Sequence, residues 1–423
     1  MAKELLHNDD RPPDSGPTEA KRLCDDFVNF FNEKLKKIAG DIRGRLQSAP
    51  AYYRQLTRRQ VPLCLDVLAE ATVDEVLGLI AAMPLKTSMM DYLPVSLLKS
   101  SAEVMAPLIA RLANISFSSG VFPSSLKHGR ITPLLKKPGL DKSDLTSYRP
   151  ITNLSTISKL LEKLALRRIR PHIMSTGNFS EYQSAYRVGH STETALLKVV
   201  NDIARATCDQ KTTALLALDI SAAFDTVDFE VLLQRMSGDF GVNGSALNWL
   251  RTFVSGRTQY VGVGAARSVT VDCQSGVPQG SVLGPLLFAI YISPIADIVA
   301  AHSLRYHQYA DDTQLYMAMK PGADVTFGAL SECVNDICRW FLENGMLLNP
   351  SKTEAVLFGT RLQRDKIDTA IGVDVAGALI QFSDSVKLLD VNLDVMLSFD
   401  RHVKEVIRSA ATTRVRWGTY DRR

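Results

Sequence analysis

Three carboxylates stand where strand-like segments end. Asp311 and Asp312 lie in the segment 305–319, RYHQYADDTQLYMAM, with aromatic and β-branched residues on both sides. That pattern predicts two short strands with the acidic pair at their turn. Adjacent aspartates repel each other. The repulsion is tolerated on a solvated loop, or where a divalent cation sits between the oxygens, because a hard ion such as Mg²⁺ takes carboxylate ligands and keeps room for phosphate. Taken alone, the pair reads as a solvated polar turn. Asp219, in LLALDISAAFDTVD, adds a second acidic site, since the apolar run from Leu215 ends in its carboxylate. Two such strand-end sites, if they meet in space, would form a two-metal centre for phosphoryl transfer.

The elements that must position these groups follow from periodicity and punctuation. Leu23, Phe27, Phe31, Leu35, Ile38, Ile42 and Leu46 recur every three or four residues, which predicts an amphipathic helix from Thr18 with Lys34, Lys36 and Lys37 outside its apolar face. A docked helix with a solvated basic face explains it. Residues 9–17, rich in Pro, Asp and Gly, form a flexible leader before it. A second helix is expected over 72–83, then a loop with Lys86, Asp91 and Pro94.

In 122–154, Lys127, Arg130, Lys136, Lys137, Lys142 and Arg149 are spread among prolines and short β-prone pieces. Proline breaks helix, so this becomes a basic, hairpin-rich lobe that either lies against phosphates or is simply solvated. A helix over 158–173 ends in Arg167, Arg168 and Arg170. The loop opened by QSAYR at 183–187 leads to His190, and Ser191 or Thr192 can cap a helix through 196–203. His190 reads as a structural hydrogen-bonder, because no Ser or Cys nucleophile motif accompanies it.

Further on, 231–236 reads as helix and 251–271 as hairpin. GVPQGSVLGP at 276–285 makes a tight turn before an apolar helix over 286–295. Glycines there let the backbone approach a ligand closely, and a helix start presents free N–H groups to an anion. Leu330, Val334, Ile337, Trp340 and Phe341 mark another amphipathic helix, closed by Asn344-Gly345. NPSKT at 349–353 then turns into a strand over 354–358.

With 423 residues, 46% hydrophobic and 22% charged, the chain is long enough to bury a sizeable core and to divide into two or three subdomains. Its net charge of +4 and pI near 8.6 permit a polyanionic partner without demanding one. Six cysteines without C-x-x-C spacing argue against structural zinc and for reduced thiols, hence an intracellular protein, nuclear or cytoplasmic. No apolar run is read as a membrane span, and the first residues lack the apolar core of a signal peptide.

LDISAAFDTVD, GVPQGSVLGP, YADD and LLNPSKTEAVLFG, in this order, resemble successive core motifs of the reverse transcriptases of non-LTR, LINE-type retrotransposons of the Jockey group. SYRPITNLSTISKLLEK and QSAYRVGHSTETAL resemble that family's finger motifs. The likeness runs from about Lys86 to about Val406. It implies an α+β, right-hand polymerase. An N-terminal helical region over 18–85 would precede fingers over 86–210, a palm over 211–380 built as an antiparallel sheet backed by helices, and a grip motif with an incomplete thumb over 381–423. The implied activity is RNA-directed DNA synthesis, with an RNA template, a DNA primer and deoxynucleoside triphosphates as partners.

By the same resemblance, Asp219, Asp311 and Asp312 match metal-binding carboxylates for two Mg²⁺ ions, with Mn²⁺ as an alternative; Lys352 matches a lysine that protonates pyrophosphate. Phe224 matches an aromatic gate under the sugar. Gln279, with Gly280 beside it, matches the nucleotide-contacting glutamine, and Arg149 would reach the triphosphate from the fingers.

Departures from the family pattern carry their own expectations. The endonuclease that the family carries upstream is expected to be missing. In Val386-Lys387-Leu388-Leu389-Asp390-Val391 an aspartate stands where the grip motif has glycine, and a charge facing a phosphate backbone would weaken the hold on primer. After His402-Val403, TTRVRWGTYDRR is not expected to continue a helical thumb. Two rival readings remain: a non-catalytic nucleic-acid-binding remnant of a mobile element, and an RNA-dependent RNA polymerase, whose sugar pocket would not need the bulk of Phe224. Primer extension on poly(rA) with oligo(dT) and dTTP separates them.

Overall fold

The computed structural model describes residues 17–48, 58–86, 88–137, 139–322, 326–368 and 372–418. The expected leader lies, but for Pro17, outside the described residues. Helices α1 (Pro17–Ser48), α2 (Val73–Ala81), α3 (Val95–Ser100) and α4 (Ala102–Ser119) precede strands β1 (His128–Leu135) and β2 (Tyr148–Asn153). Next come α5 (Thr156–Ser175), α6 (Thr192–Cys208), β3 (Thr212–Leu218), β4 (Ile220–Ser221), α7 (Phe229–Gly238) and α8 (Gly244–Val254). Strands β5 (Thr258–Val263), β6 (Ala266–Arg267) and β7 (Val271–Asp272) lead to α9 (Gly284–Tyr291) and α10 (Ile295–Ala301). The acidic hairpin is β8 (Arg305–Tyr309) and β9 (Asp312–Met319), followed by α11 (Gly328–Glu343), β10 (Leu347–Leu348), β11 (Glu354–Phe358) and α12 (Arg361–Arg364). The chain closes with β12 (Val373–Val375), β13 (Ala378–Ile380), β14 (Phe382–Ser383), β15 (Ser385–Leu388), β16 (Val391–Asp394) and α13 (Asp400–Gly418).

The site rests on a five-stranded sheet in the order β14-β11-β3-β9-β8. Its middle strand explains why it is buried on both faces. Ala214, Leu216 and Leu218 of β3 enter the main core with α7, α8, α9 and α11, while Leu215 turns to the other face, against Val199 and Ile203 of α6 and Val386, Leu388 and Leu393 of the β15–β16 hairpin. Alternate residues of one strand thus serve two cores. The sheet is mixed rather than purely antiparallel, because the edge strand β14 pairs with β11 in parallel.

A second sheet, β2-β1-β5-β6 with β7 beside β5, carries the basic lobe. Helix α1 docks on it through Cys24, Phe27, Val28 and Phe31, which meet Ile131, Leu135, Tyr148 and Val261. The Phe27 ring stands edge-on to Tyr148 with centroids 5.0 Å apart. The lobe's cations are not all free for phosphate: Arg130 is buried and donates to the Gly264 carbonyl, and Lys136 Nζ donates to the Thr146 carbonyl at 2.7 Å.

Several segments differ from the sequence expectation. The hairpin expected over 251–271 begins only after α8, because Ala246, Trp249, Leu250, Phe253 and Val254 are all buried at helical spacing. The apolar helix expected over 286–295 is two helices. Pro294 has no N–H and disfavours helix at Ser293, so α9 stops at Tyr291 and α10 starts at Ile295. The stretch Gly284–Ala301 is, against expectation, long and apolar enough to cross a membrane, yet 72% of it is buried inside the protein, as a core segment is. Finally, α13 carries helix on to Gly418, through most of the tail that was expected to leave the helical pattern.

Candidate active site

The register of the central sheet brings the three sequence-predicted carboxylates to one end. Leu218 of β3 pairs with Thr313 of β9, so the next position outward sets Asp219 level with Asp312, and Tyr309 pairs with Asp312 to close the hairpin. Between them Ala310 takes φ +58°. The Asp219 main chain is pinned from the other side: its carbonyl accepts the Asn349 N–H at 2.8 Å, next to the β4–β10 pairing of Ile220 with Leu348. That same turn delivers Lys352, whose Nζ is 3.5 Å from Asp219 Oδ2.

Crowding is visible in the electrostatics. Desolvation raises the Asp311 carboxyl above the usual range, the Asp219 charge adds to it, and Arg149 opposes it. Asp312 is pushed up to about 6, first by desolvation and then by Asp311, Asp219 and Asp390. Asp312 is nonetheless exposed to solvent. Carboxylates whose charges act on one another favour a shared proton or a cation. The oxygen-only donor set suits a hard divalent ion that keeps water or phosphate in its remaining positions. Among the described residues no three His, Cys, Asp or Glu side chains are grouped so as to hold a metal ion, and the three aspartates share the sheet end without forming such a group.

Phe224 lies in the tight turn after β4, where Ala222 takes φ +50° and its carbonyl accepts the Asp225 N–H at 2.8 Å. The Phe224 ring is half-buried and stacks on Phe288 of α9, with centroids 4.6 Å apart and planes at 23°. The core therefore fixes one face of the ring, and the ring stays partly exposed. Its carbonyl accepts the Val277 N–H at 2.8 Å, which ties this turn to the glycine-rich loop.

In that loop Gln279 Nε2 donates to both oxygens of Asp225, each at 2.9 Å, and the Gln279 carbonyl accepts the Thr152 N–H at 2.8 Å. Gly280 has φ +128°, and a Cβ there would fall 2.3 Å from the Thr152 carbonyl oxygen. Only glycine fits against β2 at that point. Behind the loop is a cavity of about 400 Å³ lined by Asp225, Gln279, Thr152, Arg257 and, from α1, Leu35 and Lys36. Burial pushes the Asp225 carboxyl up to about 6 despite its bonds from Gln279.

Arg149 sits exposed on β2, and its charge acts on both Asp311 and Asp390. Asp390 lies at a tight turn. Leu389 at φ +47° and Asp390 at φ +67° form the two-residue left-handed turn of the β15–β16 hairpin, where glycine or aspartate is favoured. The side chain pairs with Lys387 Nζ at 2.9 Å rather than standing alone. Its negative charge is the smallest of the influences that raise the Asp312 carboxyl. His190 is exposed, with Nδ1 3.1 Å from the Val188 carbonyl oxygen, as its structural reading requires.

Sequence reasoning missed two residues that shape the site. Asp225 was legible only as a polar residue in DTVD, and its role as partner of Gln279 needs a contact 54 residues away. Glu162 is fully buried, and its Oε2 accepts the Val282 and Leu283 N–H groups at 2.6 and 3.2 Å, just before α9. A glutamate on the inward face of a helix was the available signal.

Residues 135–393, more than half of the chain, match the family described as reverse transcriptase (RNA-dependent DNA polymerase). The chain belongs to the reverse transcriptase family. Among its relatives is the "RNA-directed DNA polymerase from mobile element jockey" of Drosophila melanogaster, 29% identical over 83% of this chain and 38% of the relative. The protein of the same name from Drosophila funebris is 29% identical over 92% of this chain and 42% of the relative. The "Probable RNA-directed DNA polymerase from transposon BS" of Drosophila melanogaster is 26% identical over 84% and 39%. The chain thus spans roughly two fifths of the length of these relatives.

Proposed function

We propose that this chain is an RNA-directed DNA polymerase that extends the 3′-hydroxyl of a DNA primer along an RNA template, inside the cell in nucleus or cytoplasm. The observation that carries the reading is the sheet register that sets Asp219 level with the Asp311-Asp312 turn, within a chain of reverse transcriptase kinship. The central sheet then serves as palm and the β1–β2 lobe as fingers. Asp219, Asp311 and Asp312 would hold two Mg²⁺ ions, or Mn²⁺ in their place. Such ions supply Lewis-acid activation of the primer hydroxyl and neutralise the charge on the triphosphate.

The chain's own residues supply the rest. Lys352, beside Asp219, lies at the rim where it can give a proton to leaving pyrophosphate. Arg149 reaches toward the triphosphate from β2. The loop bearing Gln279 and Gly280 presents backbone to the nucleotide at close range, and Phe224, backed by Phe288, packs under C2′ of the sugar and leaves no room for a hydroxyl. A primer-extension assay on poly(rA) with oligo(dT) and dTTP tests the reading. The parent chain should extend the primer, and Asp311→Asn should fold normally and abolish extension at any Mg²⁺ concentration. Extension by Asp311→Asn at the parent rate would remove the site assignment. A parent chain that binds primer-template and never extends it would favour the non-catalytic remnant.

A further inference from the structure

The outer edge of the central sheet is not open. Strand β8 is met along its free side by the segment 180–187 through one isolated parallel bridge at Gln183: the Gln308 N–H donates to the Tyr182 carbonyl and the Ser184 N–H donates to the Gln308 carbonyl, both at 2.9 Å. Ser184 Oγ lies 3.0 Å from His307 Nε2 and adds a side-chain tie. This main-chain pairing stops at Gln308. Beyond it, at the turn itself, one side chain takes over.

Gln183 Nε2 donates to the Ala310 carbonyl at 3.2 Å, and Gln183 Oε1 accepts the Ala310 N–H at 3.0 Å and the Ala185 N–H at 3.2 Å. The amide orientation is fixed by these partners, because the oxygen must face two N–H groups and the nitrogen a carbonyl. Gln183 is 2% exposed, so water does not replace these bonds when they break. Ala310 is the residue directly before Asp311, and its φ of +58° is a conformation that a side chain other than glycine adopts only when its surroundings impose it.

We infer that Gln183 is a positioning residue for catalysis: its amide clamps the Ala310 peptide and so holds Asp311 and Asp312 at the sheet end opposite Asp219. The inference rests on the polymerase reading for its catalytic consequence, while the clamp itself is a property of the fold. A glutamine is needed because one group must donate and accept at once. Leucine or methionine fills the same volume and does neither. Glutamate keeps the acceptor and loses the donor.

The test compares Gln183→Met and Gln183→Glu with the parent chain. For Gln183→Met, kcat should fall about tenfold or more and the Mg²⁺ concentration for half-maximal rate should rise several-fold, while primer-template affinity and the KM for dTTP stay within about twofold. Gln183→Glu, which loses the same donor to the Ala310 carbonyl and adds a carboxylate beside the acidic turn, should lower kcat at least as far. The Ala310 amide should exchange its hydrogen slowly in the parent and faster in Gln183→Met. An unchanged kcat with an unchanged Mg²⁺ requirement overturns the proposal. So does a loss spread equally over kcat, KM and primer affinity with a lowered unfolding temperature, which would make Gln183 a residue of the fold alone. If Gln183→Met does not fold, Gln183→Glu carries the same comparison. If the parent chain extends no primer, the polymerase reading fails separately, and equal Ala310 exchange in parent and variant would then overturn the clamp by itself.

Discussion

Metal binding at the acidic end of the central sheet should be gated by a proton near neutral pH. With Asp312 pushed up to about 6, a divalent ion must displace a proton that an ordinary aspartate has already lost. If one such proton competes, the ionised fraction is about 1/11 at pH 5 and about 10/11 at pH 7, so apparent affinity through Asp312 should improve roughly tenfold over those two units. An aspartate near its ordinary value would change by less than about a tenth over the same range. Asp311 is raised too, so the measured midpoint belongs to the pair. Mn²⁺ binding to the primer-template complex, read by electron paramagnetic resonance at pH 5, 6 and 7, measures this without a catalytic step. Asp312→Asn should bind more weakly and lose most of the pH dependence. A parent chain whose Mn²⁺ midpoint is the same at pH 5 and pH 7 would refute the reasoning.

The same perturbation has a signature in the metal-free protein. A carboxyl raised in the folded state binds its proton more tightly there than in the unfolded chain, so its stabilising share is full below about 4 and is lost as pH climbs through about 6. Glu75, Asp202 and Asp394 act in the opposite sense, since their folded values are depressed and their share is lost as pH falls. The difference in urea midpoint between the parent and Asp312→Asn, each followed from pH 4 to 7 with chelator present, isolates the Asp312 contribution. The parent should lose ground relative to the variant as pH rises.

Two further substitutions test other parts of the cleft. Phe224→Val removes a ring stacked on Phe288 and should lower stability by about 1–2 kcal/mol in thermal unfolding, while raising ribonucleotide incorporation relative to deoxyribonucleotide by tenfold or more in single-nucleotide extension; unchanged sugar discrimination would leave the ring a core residue only. Asp390→Gly suits the left-handed turn and removes a negative charge from beside Asp312, so primer-template binding should tighten and the Mn²⁺ midpoint should move to lower pH. An unmoved midpoint would show that Asp390 does not act on the acidic hairpin.

What could be read from the sequence was what local order encodes. The Asp219 strand, the acidic hairpin, the α11 helix and the capped start of α6 each depend on residues within a few positions of one another, and periodicity plus turn chemistry exposes them. The antiparallel palm was what the family resemblance implied, and the edge strand β14, two residues long, carries no pattern of its own that could have announced its parallel pairing. Pro294 did announce the break between α9 and α10, and the apolar run on either side of it masked the signal. The tail TTRVRW departs from the family pattern and was therefore not expected to continue helix, yet α13 runs through it, and Thr, Val and Trp are only weak brakes on helix.

The groups that hold the site together are of another kind. Gln183 and Ala310 are 127 residues apart, Glu162 and Val282 are 120 apart, and neither pair leaves a mark in local spacing. The motifs supply the atoms that would meet substrate, and the long-range hydrogen bonds decide whether those atoms stay in register. By residue type, Gln183→Glu is a conservative exchange. By geometry it removes the one donor that faces the Ala310 carbonyl and places a negative charge beside two carboxylates that already repel, so the milder-looking change bears directly on the acidic turn.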